Sequence, residues 1–213
     1  GLPKSSLFSI SKNNLYALDN KNNLLKQFDM KLTQKKSIKL EHGNYSSITY
    51  SEEQNAIFLC NSESSVIMKF NENEGSLTAH LDYSDLNQNK DIVSMIIKKG
   101  IIFLLDSSSP KLIEIIHTKE KIKYREHLKF GRGGYGKVRN PSDIRMTEKY
   151  LIVFDNKNYL LQFFDHEMNF LFQIGSKGHE INFFDLPISG CVDGKTLFIC
   201  DMNNDRIIKM NLD

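Results

Sequence analysis

The sequence predicts an all-β protein assembled from repeated four-stranded antiparallel units, and three observations carry that prediction. A short apolar run closed by Asp or Asn recurs five times along the 213 residues. Each run is followed by a polar turn of four residues and a second apolar segment rich in β-favouring side chains. No segment sustains the roughly ten continuous residues that a helix of this kind needs, and turn signals interrupt the apolar runs instead.

The closing runs are Leu15 to Asp19, Ile57 to Asn61, Ile102 to Asp106, Leu151 to Asp155 and Leu197 to Asp201. Their last residues are spaced by 42, 45, 49 and 46, which is the period of a four-stranded propeller blade. The second segments are Leu24 to Phe28, Val66 to Phe70, Leu112 to Ile116, Leu160 to Phe164 and Ile207 to Met210. The turns between them carry Asn, Asp and Ser, whose side chains satisfy turn backbone groups and tolerate left-handed geometry, so each pair reads as a hairpin. An outer strand follows the first four hairpins, at Ser37 to Leu40, Leu77 to Leu81, Glu126 to Phe130 and Phe170 to Ile174. An inner strand precedes the later runs, at Ser47 to Tyr50, Ile92 to Ile96, Ser142 to Met146 and Ile188 to Val192.

A blade that is apolar on both faces cannot bury them alone, so neighbouring blades must pack around a common axis. The expected fold is a β-propeller of four-stranded antiparallel blades, one domain over residues 1–213. Five blades are visible, at about 6–40, 45–83, 92–131, 140–175 and 185–213. The fifth repeat reaches Asp213 without an outer strand, and residues 1–6 are too few for a strand plus a connection. Two closures fit: a five-bladed ring with an imperfect last blade, or a piece of a longer, six-bladed chain. The strand count favours the second.

Composition narrows the function classes. Apolar residues make up 40% and charged residues 25%, as in ordinary globular domains. No apolar run approaches the roughly 18 residues of a membrane span, so none is expected. A formal charge of +2 leaves any attraction to phosphate to local clusters and gives no expectation of DNA binding. The opening Gly1-Leu2-Pro3 reads like a chain trimmed of an export signal, which leans the expected location towards an extracytoplasmic one and leaves a cytoplasmic one open. Cys60, Cys191 and Cys200 show no CxxC spacing, and an odd count closes no disulfide framework.

Residues 130–213 resemble NHL repeats. The stretch from Phe130-Gly131-Arg132-Gly133 to Pro141, then Tyr150 to Asp155, Asn158, Leu161 to Asp165 and Phe170 to Gly175, is similar to one complete repeat. That family has a Phe-Gly opening, a glycine-rich loop, a Pro before the inner strand, and strands ending in Asp with an Asn three residues on. The pattern recurs at Ile174 to Gly178, Pro187, Phe198 to Asp201, Asn204 and Arg206 to Lys209. Residues 1–129 keep only the strand-Asp-turn core. The resemblance implies a six-bladed propeller whose ends pair in one blade, and functions that include RNA binding and metal-dependent lyase or lactonase chemistry.

Four motifs invite chemical readings. Gly131-Arg-Gly133-Gly-Tyr-Gly136-Lys-Val138 matches the kinase phosphate loop, but no catalytic loop or metal-binding Asp-Phe-Gly follows, and Pro141 with a β pattern excludes a Rossmann helix. Its glycines read as φ > 0 turns in a blade-to-blade connection. Asp201-Met-Asn203-Asn-Asp205 imitates a calcium loop, yet Arg206 and Leu212 stand where an EF-hand needs Gly and Glu. The five closing residues are expected instead to accept hydrogen bonds from their own turns, with Asn22, Ser64, Ser109, Asn158 and Asn204 three residues on. The histidines His42, His80, His117, His127, His166 and His179 have no zinc-ligand spacing, so no cofactor or metal is expected, although axial ligands from different blades would escape a spacing test. Cys60 and Cys200 share one repeat position with Leu18, Leu105 and Phe154 and read as small core hydrophobes.

A basic cluster gathers on the best repeat: Arg132, Lys137, Arg139 and Arg145, with Tyr135 among them. In a propeller the loop entering an inner strand shares a face with the turn between the two middle strands, so Lys157, Lys177, His179 and Arg206 join it. Asp143, Glu180 and Asp185 dilute the charge. The expected function is a non-catalytic interaction domain that binds a protein or peptide through this loop face. RNA is the alternative partner, since Arg and Lys neutralise phosphate and Tyr stacks on a base. A metal-dependent lyase or lactonase is the third reading.

Overall fold

A computed structural model describes residues 7–41, 43–86, 91–117, 122–127 and 136–213. Blade 1 comprises β1 (Leu7–Ile10), β2 (Asn14–Asp19), β3 (Leu24–Asp29) and β4 (Gln34–Lys39). Blade 2 comprises β5 (Tyr45–Ser51), β6 (Ala56–Asn61), β7 (Val66–Asn71) and β8 (Ser76–Asp82). Blade 3 comprises β9 (Ile92–Lys98), β10 (Ile101–Asp106), β11 (Lys111–His117) and β12 (Ile122–His127). Blade 4 comprises β13 (Pro141–Met146), β14 (Leu151–Asp155), β15 (Leu160–Phe164) and β16 (Phe170–Ile174). Blade 5 is three-stranded, with β17 (Pro187–Asp193), β18 (Thr196–Asp201) and β19 (Arg206–Asn211). Helix among the described residues amounts to two single 3-10 turns, Asn156–Asn158 and Met202–Asn204. The fold class is all-β, a β-propeller with five blades.

In blades 1, 2, 4 and 5 the central hairpin closes in one register. Asp19 faces Leu24, Asn61 faces Val66, Asp155 faces Leu160 and Asp201 faces Arg206. Four residues after each closing residue the backbone turns left-handed, at Asn23, Ser65, Tyr159 and Asp205, with φ between 49° and 57°. Tyr159 pays steric strain that Asn23 and Asp205 largely escape, because short polar side chains tolerate this region. The outer strand of blade 3 lies earlier than its apolar residues suggest: β12 starts at Ile122, where half-buried Ile122 and Tyr124 alternate with exposed Lys123 and Arg125. Leu128 and Phe130, which drew the expectation to 126–130, lie outside the described residues.

Two compact units divide the chain, Gly1–Ile102 with Ile116–Ile122, and Phe103–Ile115 with Lys123–Asp213. In the first, Tyr16, Leu18 and Leu25 of blade 1 bury themselves against Ile57, Leu59, Met68 and Phe70 of blade 2. At the strand ends Ser11 Oγ and Asn14 Nδ2 donate to Glu72 Oε1 at 2.8 and 3.2 Å, and the Tyr16 hydroxyl donates to the same oxygen. Burial first, and then this carboxylate, hold the Tyr16 phenol well above its usual pKa. The inner strands β5 and β9 are tied by the Met95 N–H, which donates to Ser47 Oγ at 3.0 Å.

In the second unit, Tyr150, Ile152, Phe154, Leu161 and Phe163 of blade 4 pack against Leu197 and Ile199 of blade 5, with Phe184 plugging the seam. The Gly190 N–H donates to Asp143 Oδ2 at 3.0 Å, and its carbonyl accepts from Arg145 Nε. A Cβ at Gly190 would stand 2.5 Å from the Phe198 carbonyl and 2.6 Å from the Phe154 ring, so only glycine lets the inner strand approach this closely.

Candidate functional site

The closing aspartates organise the loop face. Asp155 is fully buried. Its two oxygens accept from the backbone N–H groups of Arg139 (2.9 Å) and Asn140 (3.0 Å), from Asn158 Nδ2 (2.7 Å) and from Gln162 Nε2 (3.1 Å). One carboxylate therefore pins the loop that enters β13 to the turn that leaves β14. Asp201, also fully buried, accepts from the Asp185 N–H at 2.8 Å, Asn204 Nδ2 at 2.7 Å and Arg206 Nε at 3.0 Å.

Elsewhere the same position serves its own hairpin, and in blade 2 the incoming loop as well, since Asn61 Nδ2 donates to the Gly43 carbonyl at 2.6 Å. Asp19 accepts from the Asn22 N–H and side chain at 3.1 and 2.9 Å and from Lys26 at 2.7 Å. The Asn22 side chain, followed by Lys26, holds the Asp19 carboxyl down at about 2. Asn61 accepts from the Ser64 N–H at 3.0 Å. In blade 3 the bonds to Asp106 Oδ1 come from the N–H and hydroxyl of Ser108, at 3.0 and 2.7 Å, one residue earlier than the expected Ser109.

Arg132 and Tyr135 lie outside the described residues. Lys137, Arg139, Lys157, Lys177 and His179 are exposed. Lys137 offers its carbonyl to Gln162 Nε2 at 3.0 Å, and Lys177 places Nζ 5.3 Å from the Tyr159 ring centre, a cation–π contact joining the two blades' loops. Arg145 and Arg206 are half-buried, and their guanidinium groups are committed inward. Arg145 pairs with Asp143 at 2.8 Å and donates to the Ile144 and Gly190 carbonyls. Arg206 donates to the carbonyls of His179 (2.6 Å), Glu180 (3.3 Å) and Phe183 (2.6 Å) while pairing with Asp201.

The basic-residue reading passed over the apolar members of this face. Ile181 is 87% exposed, Met202 47% and Phe183 37%. An apolar pair, Ile181 and Phe183, in a loop between two strands was the available signal.

The thiols differ. Cys60 is buried beside the Tyr83 hydroxyl at 3.3 Å, and burial pushes it up to about 11. Cys200 is half-buried and Cys191 is exposed. Among the described residues no group of three or more His, Cys, Asp and Glu is arranged to hold a metal ion. No helix among them is long and apolar enough to cross a membrane.

No family model matches the chain, and no curated protein sequence matches it. Solved structures do. A streptogramin B lyase structure matches at TM-score 0.64 and 12% identity, over 97% of this chain and 68% of that one. These likenesses show the fold. An auxiliary nutrient binding protein from Bacteroides ovatus matches at TM-score 0.74 and 11% identity, over 94% of this chain. A protein of unknown function from Bacteroides thetaiotaomicron matches at TM-score 0.76 and 13% identity, over 96% of this chain. The chain spans 58% of the length of each Bacteroides structure.

Proposed function

We propose that this β-propeller is a non-catalytic interaction domain of the NHL-like kind, binding a protein or peptide through the loop face of blades 4 and 5. The observation that carries the reading is a division of charge. Lys137, Arg139, Lys157 and Lys177 are exposed, while Asp143, Asp155 and Asp201 beneath them are buried and hydrogen-bonded. Internally satisfied carboxylates leave the outward cations to act on a partner, and rigidly held loops lose little entropy on binding. The nutrient-binding description of one similar structure agrees with a binding role.

Joint replacement of Lys137, Arg139, Lys157 and Lys177 by Ala tests it, with fluorescence anisotropy of a fluorescein-labelled 12-residue peptide rich in Glu. Affinity should fall at least tenfold while the melting curve is retained; unchanged affinity overturns the assigned face. A 12-nucleotide single-stranded RNA measured in parallel decides between partners. Tighter RNA binding that collapses between about 50 and 200 mM salt would move the function to RNA.

A further inference from the structure

Successive blades pack through fixed positions of the repeat. Four and two residues before the closing residue, and seven and nine after it, blade 2 buries Ile57, Leu59, Met68 and Phe70 against blade 1. Blade 5 turns the same four positions, Leu197, Ile199, Ile208 and Met210, onto blade 4. The inner strand adds two more. Ile48 and Tyr50 lie opposite Leu59 and Ile57, and Gly190 and Val192 lie opposite Ile199 and Leu197. This is the side that each of these blades turns to the blade before it in the chain.

Blade 1 has that side too. Its four positions hold Leu15, Ala17, Lys26 and Phe28, and its inner strand sets Phe8 opposite Ala17 and Ile10 opposite Leu15. Five of these six side chains are apolar, and the sixth, Lys26, is neutralised by Asp19 at 2.7 Å. Yet Phe8 is 46% exposed and Ile10 59%. β2 is thus apolar on both sides, with Tyr16 and Leu18 packed on blade 2 and Leu15 and Ala17 on the other side. That is the pattern of a strand covered on both faces; a face bathed in water carries polar residues at such places.

We infer that a further four-stranded blade, encoded in the same polypeptide outside residues 1–213, packs on this side of blade 1. The loop face of blades 4 and 5 plays no part in it. A covering side also uses fixed positions, three and one residues before the closing residue and six after it. They are Tyr16, Leu18 and Leu25 in blade 1 and Ile152, Phe154 and Leu161 in blade 4. The added blade therefore carries large apolar residues at those three places around its own closing Asp or Asn, and continues an interface that the chain already makes between blades 1 and 2 and between blades 4 and 5. A second copy of the chain fits less well. Its blade 5 would bring the exposed ammonium of Lys209 to the position where the covering sides of blades 1 and 4 hold Gln27 and Phe163, and a charge taken out of water without a partner is costly.

The first test is the full reading frame. A blade of this repeat takes 42 to 49 residues, so a frame that adds fewer than about 40, or that adds no run with the three apolar places around an Asp or Asn, overturns the added blade. The second test is made on the full-length polypeptide with Phe8→Ser and Ile10→Ser together. Its melting temperature should fall by about 5 °C or more, as for two side chains lost from a packed core, while Lys21→Ser, an exposed change on the same blade, leaves it in place. An unchanged melting temperature in the double Ser variant overturns the proposal. In residues 1–213 alone, where Phe8 and Ile10 meet water, the same pair should move melting by less than about 1 °C; an equal fall in both chains would place their burial within blade 1 itself and overturns it too. A full-length polypeptide that sediments as a dimer, and as a monomer once both residues are Ser, gives the face to a second copy and also overturns it.

Discussion

Blades 1 and 4 place an aspartate at the same point of the same hairpin, and the two carboxylates hold different things. Asp19 binds its own turn and Lys26, all within seven residues of it. Asp155 binds its own turn too, but also reaches back 15 and 16 residues to the N–H groups of Asn140 and Arg139. Position 26 carries an ammonium, whereas position 162, its equivalent, carries a fully buried neutral amide. Pro3 and Lys4, the first-blade equivalents of Arg139 and Asn140, lie outside the described residues; among the described residues one repeat position is a local turn cap in the first blade and a clasp for an incoming loop in the fourth. A clasp that fixes a loop pre-organises whatever that loop displays.

The sharpest way to break this contrast is to delete each carboxylate. Asp155→Ala orphans several buried donors at once and should cost about 3 kcal/mol or more in urea unfolding, since each unsatisfied buried group costs about 1–3 kcal/mol. Asp19→Ala should cost clearly less; equal losses would end the distinction. The next largest effect belongs to packing above the clasp. Phe154 is fully buried, and Phe154→Ala should cost about 3–5 kcal/mol, whereas Cys200→Ala, at the equivalent half-buried position of blade 5, should cost under about 1 kcal/mol.

Arg206→Lys keeps the charge beside Asp201 but loses the planar fork. Amide hydrogen exchange should speed up at residues 178–184 and stay unchanged in blade 1; uniform exchange would show that the guanidinium does not fix the loop. The smallest effect is a pH dependence. Asp19 titrates at about 2 when folded and near 3.9 when unfolded, so its stabilisation is complete above about pH 4 and is lost as the pH falls towards 2. Asp19→Asn should flatten that part of the acid-unfolding curve, and an unaltered curve would discount the Asn22 and Lys26 bonds.

The hairpins were legible because they are local: apolar runs, turn residues and closing Asp or Asn lie within about ten positions, and the chain repeats them. Asn22, Ser64, Asn158 and Asn204 bond where that pattern puts them. The partners of Arg145 and Arg206 were not legible. Both belong to a basic cluster in the sequence, yet Arg145 reaches Gly190, 45 residues away, and Arg206 reaches carbonyls 23 to 27 residues back. Carbonyl positions depend on backbone path, and composition carries no trace of them. The start of the strand Ile122–His127 was not legible either, because its alternation of half-buried and exposed residues is weak beside Leu128 and Phe130.

The last strand has a consequence for handling the protein at high concentration. One side of β19 shows Ile207, 74% exposed, and two positions on exposed Lys209. The lysine keeps that side from becoming a continuous aliphatic stripe, the kind of exposed patch through which folded domains associate. Replacing it with an aliphatic residue would trade a solvated surface for self-association.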